Sequence, residues 1–107
     1  MYKALDPVAL KSLLEQPRRP RLIDVRSAAE VARGRIEGAE HIELAALPQA
    51  AAALAPEEPI VFYCLSGARS AQACGYLMQR GFADLYNLEG GIAAWARAGM
   101  PVAMEGN

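Results

Sequence analysis

The chain has 107 residues, with 11 Lys and Arg against 12 Asp and Glu and a single His, for a formal net charge of −1; this is enough for one domain with its own core and for little beyond one site. So even a balance excludes recruitment of nucleic acid or of an anionic membrane by bulk charge. Two cysteines ten residues apart, Cys64 and Cys74, are neither a disulfide framework nor the paired spacing of a zinc site, so a reducing, cytoplasmic compartment is expected.

The N-terminus, MYKALDPVALKSLLEQ, lacks a basic start followed by an unbroken apolar run, and no segment approaches the length of a membrane span, so a soluble protein is expected. Residues 2 to 5 offer a short edge strand. Asp6 and Pro7 are an N-cap and first-turn pair for a helix over 7–16. The basic cluster PRRPR at 17–21 reads as a solvated loop. RLIDVR (21–26) predicts a strand, and Ser27 with Glu30 fits a capping box for a short helix over 28–33, closed by Gly34. EHIEL (40–44) predicts a second such strand, and LPQAAAAL (47–54) a helix that ends before Pro56. PIVFYC (59–64) is a continuous apolar run of strand length. SAQACGYLMQR (70–80) is a helix stopping at Gly81, DLYNL (84–88) a strand, and GIAAWARA (91–98) a helix stopping at Gly99 before Pro101. Strands alternating with helices predict the α/β class, a mainly parallel sheet of about five strands with helices on both faces. There are no repeats and no domain boundary, so one domain over 1–107 is expected.

In such sheets ligands bind beyond the carboxyl ends of the strands, and PIVFYC delivers Cys64 to that edge. The helix beginning near Ser70 turns its unpaired N–H groups back toward the sulfur and lowers its pKa. Small Gly67 and Ala68 let the loop 64–69 curl so that successive N–H groups point inward as an anion nest, with Arg69 adding a positive charge at the rim. The outcome is a thiolate in a ring of donors, a nucleophile without a histidine or carboxylate as general base. The competing reading is a buried structural cysteine finishing a core strand; the glycine, arginine and helix start that follow within six residues favour the reactive one. Cys74, inside a helix among Ala and Gly, reads as a packed core thiol.

Three motifs in order give the chain a family resemblance over nearly its whole length. LIDVRSAAEVARGRIEGAEHIEL resembles the first signature of single-domain rhodaneses, YCLSGARS their Cys-x-x-Gly-x-Arg-Ser loop, and LEGGIAAWARAGMPV their closing signature. Arg35, Glu37 and Leu65 depart from it, standing where the family often has histidine, proline and a basic residue. The resemblance implies a rhodanese-like α/β domain and a thiosulfate sulfurtransferase. Cys64 would attack the outer sulfur of thiosulfate or of a persulfide, expel sulfite or a thiol, and hold the sulfur for cyanide or a thiol acceptor. A sulfur-accepting protein is a further partner such chemistry allows. The N–H groups of Leu65, Ser66, Gly67, Ala68, Arg69 and Ser70, with the Arg69 and serine side chains, would bind the anion, and neither a metal nor an organic cofactor is needed.

Other residues invite functional readings of less weight. Asp24 and Arg26 at a strand end fit an ion-pair network with Glu30 better than a substrate site. His41 fits a satisfied, partly buried imidazole, Trp95 a helix-face core anchor under the last strand, and Gly90 with Gly91 a turn that needs backbone freedom near the active loop. Two other function classes stay open: a cysteine phosphatase or arsenate reductase built on the same strand, loop and helix, and an idle rhodanese-like binding module. Only four residues separate Cys64 from Arg69, a ring suited to one extra sulfur, whereas a phosphoryl group needs a wider one.

Overall fold

The computed structural model describes residues 1–104, so of the domain expected over 1–107 the last three residues lie outside the described residues. The strands are β1 (Lys3–Leu5), β2 (Arg21–Asp24), β3 (Glu40–His41), β4 (Ile60–Tyr63) and β5 (Leu85–Leu88), alternating with helices α1 (Pro7–Leu14), α2 (Ala28–Ala32), α3 (Leu47–Ala50), α4 (Ala68–Met78) and α5 (Gly91–Arg97). They form one sheet in the order β1-β5-β4-β2-β3, and every bonded pair is parallel. All carboxyl ends therefore meet at one edge.

β4 lies at the centre, and all four of its residues are buried. Side chains alternate across a strand, which sorts the core into two layers. Ile60, Phe62 and Cys64 pack with Cys74 and Leu77 of α4 and with Leu47 of α3. Val61 and Tyr63 pack on the other face with Leu10 of α1 and with Ile92 and Trp95 of α5. Trp95 is 2% exposed, and its indole N–H donates to the Pro101 carbonyl at 2.8 Å, the core anchor that its spacing predicts. Among the described residues no helix is long and apolar enough to cross a membrane.

The helix starts follow the expected capping chemistry. Asp6 accepts from the Ala9 N–H at 2.8 Å, with Pro7 in the first turn. Ser27 and Glu30 close the capping box of α2. The segment expected as one helix over 47–54 is instead α3 flanked by 3₁₀ turns at Leu44–Ala46 and Ala51–Ala53. Only Leu47 and Leu54 of that stretch are buried, and alanine propensity without an apolar stripe to bury does not sustain a long helix. β3 is two residues long rather than spanning 40–44, although the Ile42 and Leu44 N–H groups still donate to the Asp24 and Val25 carbonyls. α4 begins at Ala68, two residues earlier than its sequence suggests, because Gly67 adopts φ +108° and lets the chain enter the helix directly from the loop.

Candidate active site

Cys64 follows the last residue of β4 and is 1% exposed. The next three residues form the loop, and Gly67 is the N-cap of α4 with no side chain to satisfy the helix start. Those N–H groups turn to the sulfur instead. The Gly67 N–H donates to Cys64 Sγ at 3.0 Å, the N–H groups of Ser66 and Ser70 act on it as well, and the Ser70 hydroxyl lies 3.4 Å away. Burial pushes the thiol up, and the Ser70 hydroxyl with the Ser70, Gly67 and Ser66 N–H groups outweighs it, so Cys64 sits below the ordinary thiol range. Gly67, Ser66 and Ser70 are thus the loop residues that the fold brings to the sulfur. Leu65, Ser66 and Ala68 have exposed side chains, and of these three it is Ser66 whose backbone N–H acts on the sulfur.

The carbonyl groups explain why the N–H groups face inward. The Ile92 and Ala93 N–H groups, at the start of α5, donate to the Cys64 and Leu65 carbonyls at 2.9 and 3.1 Å. One helix start thereby holds the oxygens of the loop while another offers its donors to the sulfur. This requires backbone contact at Gly91: a Cβ there would overlap the Leu65 carbonyl and stand 2.6 Å from the Cys64 oxygen, and its φ is +64°. Gly90 and Gly91 both adopt positive φ, as expected, and at Gly91 that freedom allows the close approach to the loop.

Arg69, expected to add a positive charge at the rim, is paired with a carboxylate. Its two terminal nitrogens donate to both Glu30 carboxylate oxygens at 2.7 and 2.8 Å, and with Arg69 and the Ser27 N–H as donors Glu30 is held at about 2. The ion-pair network expected among Asp24, Arg26 and Glu30 is corrected accordingly. Asp24 and Arg26, 1% and 4% exposed, pair with each other at 2.7 Å, and Arg26 reaches only the backbone carbonyl of Glu30. Arg26 also donates to the Gly34 carbonyl at 2.7 Å, so it pins β2 to the end of α2. His41 is exposed rather than partly buried, and its Nε2 lies 2.7 Å from the Arg26 carbonyl, which makes that nitrogen the donor. Cys74 is fully buried, its thiol pushed up to about 12 by burial, and it donates to the Tyr86 carbonyl at 3.5 Å.

Asn87 of β5 is a site residue that sequence reasoning missed. Its Oδ1 is 2.5 Å from the Ser70 hydroxyl and its Nδ2 donates to the Gly67 carbonyl at 3.1 Å. A lone amide within DLYNL, near the carboxyl end of a strand where asparagine is disfavoured, was the available signal. Beside the loop an open groove of about 240 Å³ runs past Leu65, Ile92, Ala93 and Val102. The larger cavity, of about 410 Å³, lies near Lys11, Arg19 and Trp95 and includes no residue of the loop, whereas the groove has Leu65 of the loop in its wall.

The family profile of the Rhodanese-like domain matches residues 6–98. A protein named sulfurtransferase from Allochromatium vinosum is 42% identical over 102 residues, 95% of each chain. The thiosulfate sulfurtransferase GlpE of Stutzerimonas stutzeri is 34% identical over 74 residues, 69% of this chain and 68% of its own. Among solved structures, a rhodanese-related protein from Thermoplasma volcanium superposes with a TM-score of 0.87 at 28% identity, covering 97% of this chain and all of that one.

Proposed function

The chain belongs to the rhodanese-like domain family, and on that premise we propose that it is a cytoplasmic sulfurtransferase that carries a sulfane sulfur on Cys64, from thiosulfate or a persulfide donor to cyanide or a thiol acceptor. The observation that carries this reading is the Cys64 sulfur, 3.0 Å from the Gly67 N–H in a loop whose carbonyls are held away by α5. Such a cradle lowers the thiol's pKa and leaves donors for one further anionic atom. In the first step the thiolate attacks the outer sulfur of thiosulfate. The new S–S bond forms as the old one breaks, and sulfite leaves with its electron pair. The charge of the persulfide then sits on the outer sulfur, within the donors of residues 65–70. In the second step cyanide attacks that sulfur, thiocyanate departs, and Cys64 is returned as the thiolate. A thiol acceptor, as thiolate, leaves as a persulfide by the same displacement.

Phosphatase chemistry fits this site less well. Four residues separate Cys64 from Arg69, and the guanidinium that would have to grip phosphoryl oxygens already holds both oxygens of Glu30. An idle binding module would have no use for a cradled thiol of lowered pKa. The deciding experiment is to incubate the protein with thiosulfate and weigh it intact. One added sulfur, removable by reductant and absent in Cys64→Ser, is the expected result; equal loading of Cys64→Ser would sink the assignment.

A further inference from the structure

The Ser70 hydroxyl has one proton and two acceptors within reach. Cys64 Sγ lies 3.4 Å from its oxygen and Asn87 Oδ1 2.5 Å from it. The amide cannot turn over to relieve the competition. Its Nδ2 donates to the Gly67 carbonyl at 3.1 Å, and a flip would set Oδ1 against that carbonyl, two acceptors face to face. Gly67 therefore fixes Asn87 as an acceptor toward Ser70, and the shorter distance puts the hydroxyl proton on the Asn87 side.

We infer that Asn87 is a positioning residue that accepts the Ser70 hydroxyl while the Cys64 sulfur is uncharged and releases it to Sγ when the thiolate forms. This rests on the sulfurtransferase reading for its use in turnover. Once Sγ becomes the inner atom of a persulfide it is bonded on both sides and carries no charge, so a buried hydroxyl aimed at it would lose its charged acceptor. Asn87 supplies another, and an unsatisfied donor is avoided. When an acceptor removes the outer sulfur, charge returns to Sγ and the hydroxyl rotates back to stabilise the leaving thiolate. No atom is transferred; one hydrogen bond changes partner. Asparagine accepts from Ser70 through Oδ1 and donates to Gly67 through Nδ2, two atoms of fixed and opposite role. Aspartate would face the Gly67 carbonyl with an acceptor, and leucine of similar shape would serve neither.

The test is a double-mutant cycle read as a pH profile. The rate at which iodoacetamide alkylates Cys64 is followed against pH for the wild type, Asn87→Leu, Asn87→Asp and Ser70→Ala, and for each Asn87 variant combined with Ser70→Ala. The charged groups around this edge are the Arg69–Glu30 pair from α4 and α2, with Arg69 also acting on Cys64 and Asp24, and the Arg26–Asp24 pair at the end of β2; none is altered. A loosened Gly67 would move the profile equally with or without the Ser70 hydroxyl, whereas competition for that hydroxyl would not. The expected coupling through Ser70 is about one pH unit, the size of one hydrogen bond to a charged group. It lowers the Cys64 midpoint for Asn87→Leu, which frees the hydroxyl for sulfur, and raises it for Asn87→Asp, which holds it more tightly. Zero coupling, or coupling of one sign in both variants, overturns the inference. Sulfur loading from thiosulfate and from a persulfide on the same proteins separates the two claims. Opposite couplings without loading would uphold the role of Asn87 and reject the transferase; loading without coupling would do the reverse.

Discussion

Leu65 is 49% exposed, one residue beyond Cys64, and on the proposed sulfurtransferase reading it is the side chain that a donor meets on arrival. A thiosulfate dianion approaching residues 65–70 finds backbone N–H groups and one cation, Arg69, whose charge Glu30 already balances. A persulfide donor with an apolar body loses nothing by this and can rest on Leu65 and the groove beside it. Replacing Leu65 by Lys adds an unpaired cation at a position that packs against little. The expected outcome is a kcat/KM for thiosulfate raised roughly fivefold, the equivalent of about 1 kcal/mol for an exposed charge, with little change toward a neutral persulfide donor. Steady-state assays at low salt check this, since screening at high salt should erase the gain. No change at low salt would mean that thiosulfate does not pass Leu65 on its way in.

At the level of elements, the site is made by two helix starts facing one loop, and they differ in how visible they were. The strand run ending at Cys64, the glycine three residues on and the capping box of α2 are all local patterns, and each is where its chemistry places it. The helix expected over 47–54 is broken into α3 and a 3₁₀ turn, because alanine propensity is local while helix length depends on what the helix buries. The partners of Arg69 and Ser70 could not be foreseen, since Glu30 and Asn87 are 39 and 17 residues away in sequence and only the parallel strand order brings them together. Gly90 and Gly91 read locally as turn residues, yet the contact of Gly91 with the Cys64 and Leu65 carbonyls is tertiary. That contact can be tested. Gly91→Ala meets a left-handed φ and carbonyl atoms that cannot move without opening the loop, so a loss of about 2–4 kcal/mol is expected from strain and overpacking combined. Gly75, inside α4 with nothing within 4 Å of an added Cβ, is the control; Gly75→Ala should stabilise by roughly 0.5–1 kcal/mol. Urea midpoints read both, and a Gly91→Ala protein as stable as the wild type would mean that the α5 turn does not shape the loop.

Across the whole molecule, the parallel order brings every strand's carboxyl end to one edge, so connections far apart in sequence meet there and can be tied together. Glu30, in the crossover that follows β2, grips Arg69, in the helix that follows β4, and the same carboxylate accepts from the Ser27 N–H and hydroxyl. One side chain thus caps α2, neutralises the cation of the active loop and joins two neighbouring crossovers. Its acidity carries a consequence for stability. Arg69 and the Ser27 N–H, against the opposing effect of burial, hold Glu30 at about 2 when folded, against an ordinary value of 4.5. A carboxylate whose pKa is depressed by folding contributes stability that is fully present above its unfolded value and is lost as pH falls through the folded one. The informative variant is Glu30→Gln, because glutamine still serves a capping box and only the charge is removed. Wild type should be the more stable protein at neutral pH, with the gap closing as pH falls from about 4.5 to about 2. Urea unfolding of both proteins across that range measures it. A gap that stays constant down to the acid limit would show that Glu30 acts through shape and capping alone, and that Arg69 is held in the loop by something other than its carboxylate.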